Sequence, residues 1–201
     1  TSTTFSGLLT NTGGLTKAGA GTLTLSGPNT GAGGILISAG TLRGNDLTTV
    51  LGTSAITLNG VAGITLDLRA NTTQTYANNV TLTTLGTINV DNNTGTANPA
   101  NNVLSIGALT FTAATGLNVT GAHGYWPNTG AVTLANPSQP IYLAPGGPLP
   151  LRGVHRAGAL RLTHTNHSPP PPPRPTPHPH HPPSHPRPLP RPTAATTCPA
   201  A

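Results

Sequence analysis

Apolar positions fall in short alternating bursts at 23–25, 35–37, 56–58, 64–68, 80–83, 87–90, 103–106, 109–111, 117–119 and 132–134. Each burst is three to five residues long and sets Thr, Asn or another small residue between Leu, Ile or Val. A period of two sends one set of side chains inward and the other to solvent, so each burst predicts a strand. Gly and Asn separate most of them, as at Asn59 with Gly60, Asn78 with Asn79, Asn92 with Asn93, Asn101 with Asn102, Gly116 and Gly121. Both residue types turn a chain tightly. The expected core is Leu23, Leu25, Ile35, Ile37, Ile56, Leu58, Leu66, Leu82, Ile88, Val90, Leu104, Ile106, Leu117 and Val119.

Two architectures use such strands. A β-sandwich pairs them antiparallel and favours longer strands with an aromatic core. A parallel β-helix stacks short strands from successive coils around a narrow aliphatic interior. Strand brevity and a total of two Phe favour the helix. At a repeat of roughly 20–25 residues, the first 136 residues would make about six coils.

Gly14, Leu15, Lys17, Gly19, Gly21, Leu23, Leu25, Gly27, Asn29, Gly33, Gly34, Ile37, Gly40 and Leu42 stand in a distinctive order. It runs Gly-x-Leu-x-Lys-x-Gly-x-Gly-x-Leu-x-Leu-x-Gly-x-Asn, then Gly-Gly, an apolar strand and Gly-x-Leu. This stretch resembles the autotransporter-associated β-strand repeat of exported bacterial passenger regions. Gly31 stands where that repeat usually has Tyr, and Ile35 and Leu36 where Thr is common. The following hundred residues or so are similar to such passengers in texture alone. The resemblance implies a right-handed parallel β-helix that is secreted or held outside the bacterial outer membrane. It also implies a C-terminal β-barrel translocator, which is expected in the family and absent from this chain.

Composition then divides the chain. Up to Pro140 the cations Lys17, Arg43 and Arg69 balance the acids Asp46, Asp67 and Asp91, so the net charge of +6 belongs to the last 61 residues. There Arg152, Arg156, Arg161, Arg174, Arg187 and Arg191 meet no acid, and 18 of the 23 prolines lie beyond Pro140. Residues 1–136 are read as a β-helix region and 137–201 as a disordered, low-complexity Pro/His/Arg-rich tail. The tail has the composition of a Thr-rich repeat read in a shifted frame, because ACC repeats give Thr, Pro or His according to frame. A genuine proline-rich linker is the competing reading. The basic tail lacks a binding fold and aromatics for stacking, so no nucleic-acid partner is expected. No apolar run is long enough for a transmembrane helix. Cys198 stands alone and forms no internal disulfide. A chain that starts at Thr1 and has no Met reads as a fragment or processed product, with any export signal upstream.

Candidate chemistry is sparse. Gly13 to Gly21 is glycine-rich with Lys17 but lacks the P-loop spacing and a following helix. Asp67 and Arg69 share a strand face, and their expected state is an exposed ion pair of little energetic weight. Asn45 breaks an Arg-Gly-Asp reading of Arg43, Gly44 and Asp46. His178, His180, His181 and His185 crowd together, yet proline-locked backbone disfavours a preformed metal site. Pro169 to Arg174 satisfies a proline-domain ligand pattern by composition. Of Tyr125 and Trp126, one is expected to pack inward and the other to lie at a corner before Pro127.

No catalytic residue, cofactor or metal is expected. The leading expectation is a non-enzymatic structural or adhesive passenger, meeting a host surface or an extracellular glycan or protein. The alternatives are a β-helix carbohydrate-active enzyme of the polysaccharide lyase or glycosidase type, and a truncated or frameshifted fragment without a function of its own.

Overall fold

The computed structural model describes residues 1–134 except 11, 62, 97–100 and 113–114, with the backbone of three later strands. The chain divides into two units, Thr1–Asn166 and His167–Ala201, and the described residues belong to the first. No helix occurs among them, and none is long and apolar enough to cross a membrane.

Three parallel sheets form a β-solenoid of about five turns. The first sheet has eight strands: β1 (Thr3–Phe5), β3 (Thr22–Leu25), β5 (Thr41–Asn45), β7 (Ile64–Arg69), β10 (Gly86–Asp91), β13 (Leu117–Gly121), β16 (Pro140–Leu143) and β18 (Arg161–His164). The second has seven: β2 (Leu15–Lys17), β4 (Ile35–Ile37), β6 (Ile56–Leu58), β9 (Val80–Leu82), β12 (Leu109–Phe111), β15 (Val132–Leu134) and β17 (Val154–His155). The third holds β8 (Gln74–Thr75), β11 (Asn102–Ser105) and β14 (Tyr125–Asn128).

Successive coils add one strand each to the first two sheets. Leu15 pairs with Ile35 and Ile35 with Ile56, steps of 20 and 21 residues. The step grows to 24 from Ile56 to Val80 and 29 from Val80 to Leu109. The added residues build the third sheet, so the cross-section gains a wall partway along.

The interior consists of stacked aliphatic files. Ile35, Ile56, Val80, Leu109 and Val132 form one, and Ile37, Leu58, Leu82, Phe111 and Leu134 another, all buried. Each such side chain contributes about 1.5–3 kcal/mol of burial. Every expected core residue is buried except Leu23, which is partly buried because β1 above it is exposed along its length.

The expected strands are all present, and β1, β2, β5, β8 and β14 are additional to them. Beyond residue 136, β16, β17 and β18 continue the two main sheets in parallel register, so ladder pairing crosses the compositional boundary.

Candidate functional site

Lys17 and Asn29 act between coils. Lys17 lies in β2 with its side chain turned inward, 5% exposed. Its ammonium donates to the carbonyls of Ala18 at 3.0 Å, Gly19 at 2.6 Å and Ala39 at 2.8 Å. The first two belong to its own corner and the third to the corner of the next coil. Burial holds the Lys17 pKa below its usual value. Asn29 links three coils: its Oδ1 accepts the Leu9 N–H at 2.8 Å, and its Nδ2 donates to the Val50 carbonyl at 2.6 Å.

The glycines permit stacking. A Cβ on Gly27 would stand 2.1 Å from the Gly7 oxygen, and one on Gly33 2.1 Å from the Thr12 oxygen. Gly34 faces open space but holds φ at +56°, a conformation natural to glycine. Gly19, Gly21 and Gly40 occupy bends outside the strands of this segment, and Gly14 directly precedes β2. Leu25, Ile37 and Leu42 are buried in the core, with Leu15 and Leu23 packed against it.

A second polar cluster lies on the outer face of the eight-stranded sheet. Register places Arg43, Asp67, Asn89 and Thr120 side by side on β5, β7, β10 and β13. Asp67 accepts from Arg43 Nε at 2.7 Å, Arg69 Nε at 2.8 Å and Asn89 Nδ2 at 2.8 Å. Arg69 Nη1 reaches Asp91 at 2.9 Å, and Asp91 also meets His123 Nδ1 at 2.8 Å. Thr120 donates to Asn89 Oδ1 at 2.6 Å. The expectation of an exposed Asp67–Arg69 pair is therefore corrected: Asp67 is 3% exposed because two guanidinium groups cover it. Arg69 bridges both carboxylates, and the whole set stitches four rungs together.

Asp46 is placed separately, at a left-handed corner with φ +57°. Its carboxylate accepts from the Asn71 backbone and side chain and from the Asn93 amide. All three acids of the chain are thus held by protein donors.

Tyr125 is buried and Trp126 is partly exposed, as alternation required. Trp126 is not at a corner, however; it pairs with Val103 within β14, the edge strand of the third sheet. Pro127 is tolerated there because an edge strand leaves one row of N–H groups unpaired. Pro169 to Arg174, His178, His180, His181, His185 and Cys198 lie outside the described residues.

Sequence reasoning missed Asp91, Asn89 and His123 as partners of Asp67 and Arg69. Their signal was the coil step: Arg43 to Asp67 is 24 residues and Asp67 to Asn89 is 22.

Residues 15–43 match the family model of the passenger-associated-transport-repeat. No curated protein and no solved structure matches the chain. The matched segment runs from β2 into β5 and contains the inward Lys17, the bridging Asn29 and the close-packed Gly27 and Gly33. The chain thus carries a passenger-associated-transport-repeat at residues 15–43, set in a parallel β-solenoid that fits an autotransporter passenger.

Proposed function

We propose that this chain is a non-enzymatic passenger segment exposed outside a bacterial cell, serving as a rigid stalk with an adhesive side. One observation carries the reading: the passenger repeat is built into a continuous parallel solenoid, with Lys17, Asn29, Gly27 and Gly33 set between its coils. A stack of this kind supplies length and a repetitive lateral surface. The adhesive partner belongs to a host surface or the extracellular medium, as a glycan or a protein. Trp126 offers one aromatic contact point, beside Asn128 and Ser105, which are themselves bonded at 3.2 Å.

Antibody against residues 1–134 should label intact producing cells or their medium without permeabilisation. Labelling confined to the cytoplasm would overturn the reading.

A carbohydrate-active enzyme is the second reading. It is favoured by Arg69 lying between Asp67 and Asp91 on one outer sheet face. Under the stalk reading the purified chain cleaves neither pectin-like nor neutral glycans. Cleavage that is abolished by Asp67→Asn would promote the enzyme instead.

A further inference from the structure

We propose that the outer face of the seven-stranded sheet binds a neutral, extended polysaccharide laid along the solenoid axis. This rests on the adhesive reading of the chain and names its ligand class. Register sets Thr57 beside Thr81, Thr81 beside Thr110 and Thr110 beside Thr133. Each is the middle residue of a three-residue strand whose neighbours are buried, so all four project outward. The result is one threonine per rung at the strand spacing of about 4.7–4.9 Å.

These hydroxyls are available. None of the four makes a hydrogen bond within the described residues. Thr83 and Thr112, at the edge of the same sheet, differ: their hydroxyls donate to the carbonyls of Leu58 and Leu82. The residues preceding these strands, Ala55, Asn79, Ala108 and Ala131, are small and uncharged, which keeps the face flat.

Charge selects the partner. The outward residues of β2, β4, β6, β9, β12 and β15 are Thr16, Leu36, Thr57, Thr81, Thr110 and Thr133, with no ionic side chain among them, and register continues the file to His155 of β17. The first sheet, by contrast, carries Arg43, Asp67, Arg69 and Asp91. A neutral face supplies no counter-charge to an acidic glycan or a nucleic acid. It does supply a hydroxyl and a methyl per rung, the pair of contacts that a sugar's hydroxyl and C–H faces accept. An extended β-linked hexose chain advances by a comparable step per sugar. No aromatic stands on the file to stack a ring, so each sugar is held weakly and affinity accumulates with the number of rungs engaged.

The test compares the full chain with Thr57→Val/Thr81→Val/Thr110→Val. Valine keeps the β-branched shape and strand preference and deletes only hydroxyls. Depletion from solution by insoluble cellulose and β-1,3-glucan is measured, with polygalacturonate and ice as comparison phases, followed by affinity for oligosaccharides of increasing length. Circular dichroism checks the fold, and Thr81→Val alone serves if the triple variant unfolds.

Expected are binding to a neutral glucan, insensitivity to salt, and a gain of at least about ten-fold from short to long oligomers. The triple variant should lose at least about ten-fold, its avidity resting on fewer rungs. Equal binding by folded variant and wild type, capture by the acidic polymer alone, or capture by ice alone overturns the proposal. Cell adhesion that survives in the variant while glucan binding was never present leaves the stalk and adhesive reading standing and removes the threonine file. Loss of surface exposure in the antibody experiment removes the adhesive reading itself.

Discussion

Lys17 satisfies three carbonyl oxygens with one buried ammonium, two on its own corner and one on the next. Lys17→Met keeps the stem but strands those oxygens. It should cost about 2–3 kcal/mol in urea unfolding, the range for losing charge-assisted bonds at a buried site. Asp67→Asn leaves the Arg43 and Arg69 guanidinium groups without their shared acceptor charge. Arg43 is partly exposed and water screens it, so the loss should be about 1–2 kcal/mol by urea midpoint, more than an exposed pair would show. Tyr76 is fully buried and donates to the Arg69 carbonyl at 3.1 Å. Burial raises its pKa above the ordinary 10.0, with the charges of Asp46 and Asp67 adding to the effect. Its contribution to stability is complete below pH 10 and falls above it, because only the unfolded chain releases the phenolic proton there. The stability difference between wild type and Tyr76→Phe should therefore stay constant up to about pH 10 and shrink at higher pH. A difference that grows with alkalinity would contradict this.

Glycines 33 and 34 separate two reasons for the same residue within one corner. Gly33→Ala drives a methyl into backbone of the preceding coil and should cost about 2–3 kcal/mol, the upper part of the range for overpacking. Gly34→Ala meets no atom and should cost about 1 kcal/mol from its left-handed backbone alone. Thermal unfolding of both variants checks the order. At this scale the sequence was readable wherever Leu, Ile or Val alternated: 35–37, 56–58, 109–111 and 132–134 coincide with their strands. It was unreadable where an inward position carried another chemistry. Lys17 looks like a solvent residue, yet its charge is met by carbonyls inside the coil. Gly44 is buried in line with Leu68, and a glycine carries no hydrophobic signature. In the third sheet β11 alone showed alternation in the sequence, because β8 is two residues long and β14 contains a proline. The outer cluster stayed hidden for a different reason: its members meet only once the coil step is known.

Over the whole molecule, each described coil touches its neighbours and little else, so stability is a sum of adjacent couplings. The tail from His167 is proposed to add nothing to that sum. Deleting 167–201 should leave the β-type circular dichroism and the melting temperature unchanged, and a fall of more than a few degrees would show that the tail caps the stack. Resequencing the gene separates a frame-shifted tail from a genuine one. The coil-by-coil build also governs behaviour under tension. A tethered stalk pulled along its axis has no long strand-to-strand shear plane crossing several coils. Load falls on the ladder bonds of the terminal coil, which peel before the next coil is stressed. With steps of 20 to 29 residues, each coil lost would release about 70–100 Å of chain. Under the proposed stalk role, the chain lengthens in increments instead of snapping, and a cell attached through it would ride out a sudden pull from flowing liquid.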